Sequence, residues 1–453
     1  MGRNNQRRRA AKQRARHQRG PTAARDGGRP PDAEGFGFGF GSNPDERRRD
    51  TVAPALEQLI RAAAALPLPS LSRLVEDQLV AQDGASRQRM DELASMRVRQ
   101  SLVAAWERGW QPLDLMHVVR RSQARLVPLL ATAIGAQARS AQTEQRAPQQ
   151  WLDQLGAVAD EALPVGPEPD LGGLVRAVTG QGALLVDAWT DLLHLVRLLT
   201  TVPVLEQLVP PPSAWGRTST RSRTDTDSSE RGRLLNRIRT LLAKAENTEF
   251  AAEAETFTAK AQDLMTRHAI DEALLHGSMD HPIEVRGVRV HIHNPYAAEK
   301  VHLLNQVARA NRSRAVWNEP LGLVTVLGTP VDVDQVEMLF TSLLIQATRT
   351  MAEAGARRAG SFDRSASFRR SFLMSYAVRI GERLNETTEA ATASYGSALV
   401  PLLQRQTRAV QEEFDRLFPQ TRQTRAGRYN ALGWDAGRAA ADRAVFAAGR
   451  ITA

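Results

Sequence analysis

The chain has 453 residues, 42% of them hydrophobic and only 5% aromatic, with a formal net charge of +10 and no cysteine. That length leaves room for two or three domains, and scarce strand-favouring aromatics beside abundant Ala, Leu and Arg favour a mostly α protein. Disulfides, thiolate zinc sites and cysteine nucleophiles are excluded, which fits a cytoplasmic protein.

The positive charge is concentrated at one end. Residues 1–31 hold nine arginines and one lysine against Asp26 alone, with Arg7, Arg8, Arg9, Lys12, Arg14 and Arg16 as the densest block. No apolar core follows, so this is not a secretory signal. Residues 35–41 read GFGFGFG. Such low-complexity sequence buries too little apolar surface to offset the entropy of ordering it, so residues 1–49 are expected to be disordered. Two uses are open. One is a nucleic-acid arm in which Phe36, Phe38 and Phe40 stack on bases; the other is a solubilising tail with no dedicated partner.

Residues 50–212 read as an all-α domain. Helices are expected over 53–66, 71–82, 86–108, 112–121, 125–137, 150–163 and 171–200, punctuated by Pro67, Pro69, Gly109, Pro112, Pro164 and Pro167. Pro112 suits a first helical position, where its missing N–H costs nothing. The most apolar stretch, 174–199, is interrupted by Arg176, Asp187, Asp191 and Arg197, as in a buried helix rather than a membrane span. Ala105, Gly109, Leu115 and Val118 have the spacing of a DNA-reading helix-turn-helix. Its reading helix would expose Asp114, His117, Arg120 and Arg121, although Arg108 stands where such a motif wants an apolar residue. The alternative is a plain helical corner anchored by Trp106 and Trp110. A polar, Ser- and Thr-rich linker follows at 213–231.

Residues 232–277 carry two helical stripes. Leu234, Leu235, Ile238, Leu241, Leu242 and Ala245 form the first; Ala254, Phe257, Ala261, Leu264 and Met265 form the second, with Asn247 and Thr248 at the turn. A short turn between two amphipathic helices predicts an antiparallel hairpin. The second helix is acidic at Glu249, Glu253 and Glu255, so it would be repelled by a phosphate-lined groove and does not read DNA in this way. The pattern IRTLLAKAE followed by EAETFTAKAQDLM resembles the bacterial and phage domain of unknown function numbered 2786. The matching positions are Ile238, Leu241, Leu242, Ala245, Glu253, Ala254, Glu255, Lys260, Ala261, Gln262, Leu264 and Met265. The resemblance implies a helical hairpin and, more weakly, a mixed α/β companion region after it. It implies no activity and no catalytic residues.

After the hairpin the apolar period shortens. Ile283 and Val285 alternate, and Val288, Val290 and Ile292 alternate in the opposite phase, so a β-bulge is expected at Gly287. A helix over 297–312, strands at 314–318 and 321–327, and a helix from a capping box at Asp332 and Gln335 to about Ala354 follow. That order, β-α-β-β-α, predicts a small antiparallel or mixed sheet with helices on one face. Phe368, Phe372 and Tyr376 then mark a helix face running to Leu384. Further helices are expected from Val410 to Leu417 and over 429–448, with Gly433 and Gly437 admitting a close neighbour.

Three groups are candidates for function. His291 and His293 lie two apart, on one face of a strand, with Arg289 beside them. They are weak metal candidates, with His302 as a third ligand, because Arg289 repels a cation and no HExxH pattern occurs. The basic run around Phe362, with Arg364, Arg369 and Arg370, is a second candidate nucleic-acid surface; alternatively Phe368 and Phe372 face the core and the arginines are solvated. The acid pairs Asp332/Asp334 and Glu253/Glu255 read as a helix cap and as hairpin surface. No phosphate-cradling loop or nucleophile elbow is present, and no cofactor is expected.

The fold class expected is mostly α with a small α+β C-terminal domain: a tail at 1–49, an all-α domain at 50–212, a linker at 213–231, a helical hairpin at 232–277, and an α/β companion with C-terminal helices at 278–453. The function expected is a non-catalytic nucleic-acid-associated or adaptor protein, with nucleic acid or another protein as partner and no membrane. The alternative is a hydrolase or nuclease with its site near His291 and His293.

Overall fold

The structure is a computed structural model that describes residues 44–164, 173–216, 238, 240, 264, 265, 268, 282–357, 365–394, 400–422 and 430–444. The chain forms two compact units, residues 1–48 and 49–453. The leader arginines, Arg364, Phe362 and most of the hairpin lie outside the described residues. The protein is mostly helical, with a three-stranded antiparallel sheet interleaved with helices in the C-terminal part.

The helical half runs α1 (Pro44–Ala65), α2 (Leu68–Ala81), α3 (Gly84–Glu107), α4 (Pro112–Gln123), α5 (Val127–Ser140), α6 (Gln149–Ala159), α7 (Leu174–Thr179) and α8 (Leu185–Thr201). Helix α1 begins at Pro44, inside the segment expected to be disordered. Proline is tolerated at a helix start, where its missing N–H has no intrahelical partner to lose. The single helix expected over 171–200 is instead two, broken at Gly180 and at Gly182, whose φ is +91°. Asp91 of α3 holds α7 in place: its carboxylate accepts from Val175 N and Arg176 N, both at 2.9 Å, and from Ser95 Oγ at 3.2 Å. Among the described residues no helix is long and apolar enough to cross a membrane.

Tryptophans organise this core. Trp106 meets Trp151 edge-on at 5.3 Å, and Trp151 meets Trp215 at 5.2 Å. Trp106 Nε1 donates to Gln137 Oε1 and Trp110 Nε1 to Pro203 O, so these two polar edges are satisfied. Arg108 donates to Val202 O and Leu199 O, which explains a charged residue at that corner. Gly109, at φ +87°, lets the 202–206 strap close over it; a Cβ there would lie 2.4 Å from Leu205 O.

The second half contains β1 (Arg286–His291), α9 (Ala297–Ala310), β2 (Arg314–Asn318), β3 (Leu323–Gly328), α10 (Pro330–Arg357), α11 (Ala366–Ser394), α12 (Val400–Leu417) and α13 (Ala431–Arg443). The strand order is β1-β3-β2. Every residue of the central strand β3, LVTVLG, is buried, as expected for a strand covered on both faces. Val288, Val324 and Val326 face a core shared with Val307 of α9 and Val336 of α10. The opposite face is covered too, contrary to the one-sided sheet expected. Leu323 joins the helical half's core, and Leu327 packs with Leu208 and with Val410 and Phe414 of α12.

The expected bulge at Gly287 is absent. Gly287 pairs directly with Leu327, and residues 282–285 are not strand. A Cβ there would lie 2.7 Å from Leu208 Cδ2 and 2.9 Å from Leu327 Cδ2, so a larger residue would push these two side chains aside. The capping box at Asp332 and Gln335 is also displaced. Thr329 is the capping residue, accepting from Asp332 N and donating to Asp332 Oδ2 at 2.8 Å, while Gln335 Nε2 donates to Met265 O at 2.6 Å. Ile238 and Met265 are buried in the core of this half. Phe368, Phe372 and Tyr376 are buried along α11. Gly433 and Gly437 bring α13 onto them, with the Cβ positions only 2.5 Å from Phe368 O and 2.1 Å from Phe372 O.

Candidate functional site at the seam between the two halves

Helix α4 and strand β1 meet in a seam of titratable side chains. The site begins with the local chemistry of the helix start. Gln111 precedes Pro112, and Asp114 folds back so that its Oδ2 accepts from Gln111 N at 3.2 Å. With α4 formed, Asp114, His117 and Arg121 follow at intervals of three and four, along one side of the helix. On β1, Arg289 and His291 are two apart and share a face, which points away from the Val288 and Val324 core.

These two sets interlock. Arg289 Nη1 donates to Asp114 Oδ2 at 2.8 Å and to Gly109 O at 2.9 Å, and Nη2 donates to Glu206 O at 2.6 Å. Both side chains of the ion pair are almost wholly buried, at 2% and 3% exposure. His291 Nε2 lies 3.0 Å from Asp114 Oδ1. Burial alone would raise the Asp114 pKa; the His291 hydrogen bond and the Arg289 charge outweigh it and hold the carboxyl below its usual range.

His117 sits beneath His291 and His293. Its ring stacks on His291 at 4.9 Å and 17° and meets His293 edge-on, also at 4.9 Å. It is 1% exposed, and neither of its ring nitrogens has a hydrogen-bond partner. Burial, then the neighbouring His291, His293 and Arg121, lower its pKa to about 3, so it is neutral at ordinary pH. Burial and the charges of His291, Arg120, Lys300 and Arg121 lower His293 as well. Lys300 Nζ donates to the His293 carbonyl at 2.8 Å. Arg121 lies across Gly322, where a Cβ would collide with its guanidinium and come within 3.1 Å of His117 Nε2.

Several expectations change here. Asp114 and His117 are buried against β1, so α4 cannot present them to a DNA groove. Arg120 pairs with Glu161, while Arg121 is exposed. The third imidazole beside His291 and His293 is His117 and not His302, which contacts Gln306 instead. Arg289, expected to repel a cation, is neutralised by Asp114. Parallel stacking keeps the His117 and His291 nitrogens from converging on one point, and among the described residues no three His, Asp or Glu side chains are arranged to hold a metal ion. Arg369 and Arg370 are exposed at the start of α11 while Phe368 is buried. Asp332 and Asp334 pair with Arg312 and Arg286.

A cavity of about 350 Å³ adjoins the other side of Arg289, between the sheet and Leu205, Glu206 and Phe418. A larger cleft of about 640 Å³, lined by Arg312, Thr388 and the Val400 to Glu412 side of α12, lies away from the histidines. The titratable groups therefore gather at the seam and not in this cleft.

No curated protein and no solved structure matches the chain. Residues 233–272 match the model of the family described as protein of unknown function (DUF2786), which spans the stretch whose apolar stripes carried the resemblance.

Proposed function

We propose that the protein is nucleic-acid-associated, with the basic leader making diffuse phosphate contacts and the seam adding a cationic patch on the folded unit. The carrying observation is that Arg121 and Lys300 flank the imidazoles without a carboxylate pairing either one among the described residues. Positive charge in excess on an ordered surface favours a polyanion by counterion release. Fluorescence anisotropy with labelled generic RNA over a salt series tests this. The full chain is expected to show a steep log–log salt slope. Deleting residues 1–31 removes ten cations and is expected to lower that slope by up to about 7. Arg121→Glu in the shortened chain is expected to weaken the remaining binding roughly tenfold. Binding unchanged by the deletion would dispose of the leader's part.

A second reading, a hydrolase or nuclease, is favoured by one distance: the 3.0 Å contact between Asp114 and His291. A carboxylate so placed fixes an imidazole's tautomer and leaves its other nitrogen to act as a base. If the seam turns over a phosphodiester, His291→Ala is expected to reduce the rate by about 10²–10⁴. Turnover equal in the two proteins would rule out that role.

A further inference from the structure

We propose that the surface cluster of His291, His293, Arg121 and Lys300, with His117 buried beneath it, binds a single phosphate group. This deepens the seam's part in the nucleic-acid reading above and rests on it. Side chains of the cluster come from both halves: Arg121 from α4, His291 from β1, His293 just beyond it, and Lys300 from α9. Arg121 supplies a planar fork and Lys300 a point charge, the two cation types suited to phosphate oxygens.

The charges around the cluster leave it positive. From α4 come Asp114, Arg120 and Arg121; from β1 and the residues after it come Arg289, His291 and His293; from α9 comes Lys300. Asp114 is neutralised by Arg289, and Arg120 by Glu161 just after α6. Arg121 and Lys300 therefore stand uncompensated. Under them lies His117, buried, with both ring nitrogens unpartnered. An unpartnered buried imidazole is costly, and a bound anion would give it and its neighbours reason to take up a proton. A phosphate monoester, carrying close to two negative charges near neutral pH, suits this excess better than a singly charged carboxylate. A metal cation suits it worse, because the two uncompensated charges repel it and the stacked rings do not converge.

The test uses the full chain with histidine ring nitrogens labelled, observed by NMR. Inorganic phosphate is titrated in first. Then come two short oligodeoxythymidylates, one carrying a 5′-phosphate and one without. The expected result is saturable movement of the His291 and His293 signals by inorganic phosphate, by the 5′-phosphorylated strand, or by both. Response to phosphate alone identifies a free small anion as the source, and response to the phosphorylated strand alone identifies a nucleic-acid end. Arg121→Gln, at an exposed position, is expected to weaken the response at least tenfold while leaving the remaining histidine spectrum intact. Signals unmoved by either phosphate probe would overturn the proposal, as would equal movement by the unphosphorylated strand, an undiminished response in Arg121→Gln, or stoichiometric capture of added Zn²⁺ by these histidines. Oligonucleotide retained with the histidine signals unmoved would remove this site while leaving leader-based association standing. Phosphate-responsive histidines in a protein that retains no RNA would do the reverse.

Discussion

Replacing Asp114 with Ala is expected to destabilise the folded unit by about 3–5 kcal/mol, measured by urea unfolding with circular dichroism. Three donors depend on this carboxylate: Gln111 N, Arg289 and His291. Its removal leaves the Arg289 guanidinium buried beside only two carbonyls, Gly109 O and Glu206 O. The cost arises from that stranded charge, so Asp114→Leu combined with Arg289→Met is expected to recover much of the loss. Glu161→Ala provides the contrast. Its partner Arg120 is well exposed, and an exposed pair contributes less than about 1 kcal/mol. If Asp114→Ala unfolds within 1 kcal/mol of the parent, the seam does not hold the two halves together.

Acid is expected to weaken the fold well above the usual carboxylate range, with His117 as the main cause. Its folded pKa of about 3 lies below the ordinary value of 6.5, so the unfolded chain binds a proton that the folded chain refuses. Stability then falls as pH drops from 6.5 toward 3. Between pH 7 and pH 4.5 the loss attributable to His117 is about 3 kcal/mol, at ~1.4 kcal/mol per pH decade. His293, His194 and His302 are also held low, chiefly by burial, and act in the same direction. Asp91 opposes them: burial raises its pKa despite its hydrogen bonds, so its protonation favours the folded state as pH falls. The informative quantity is therefore the difference between the parent and His117→Leu. The variant's stability is expected to change by about 3 kcal/mol less over the same interval. An identical pH dependence in the two proteins would show that His117 is not held neutral by the fold.

Much of the local structure is legible in the sequence. The start of α4 at Pro112, the aromatic face of α11 and the close approach at Gly433 and Gly437 all follow from backbone chemistry within a few residues. The same local logic misled where a tertiary partner decided the outcome. Gly287 resembled a bulge because its phase slipped, yet the glycine answers to Leu208 pressing on the strand. The stripe over 174–199 looked continuous, yet Asp91 of another helix caps a separate α7. At the seam each side chain was visible on its own. Asp114, His117 and Arg121 lie along one side of α4, and Arg289, His291 and His293 alternate from β1 onward. The pairing of Asp114 with Arg289, 175 residues apart in sequence, has no local signal. Without it Arg289 reads as a repelling cation and Asp114 as an exposed acid. An acid, an imidazole and an arginine aligned on a helix whose opposite side is already apolar is the feature that would have indicated a second covered face.

The most direct test of the seam is the titration of His117 itself, followed by NMR in the full-length protein with labelled histidine rings. The structure predicts an imidazole that stays neutral as pH is lowered from 7 to 4.5, held so by burial and by the neighbouring His291, His293 and Arg121. A His117 ring that gains its proton near pH 6.5, as it would on an uncovered helix, would contradict the assembly of α4 and β1 into one site.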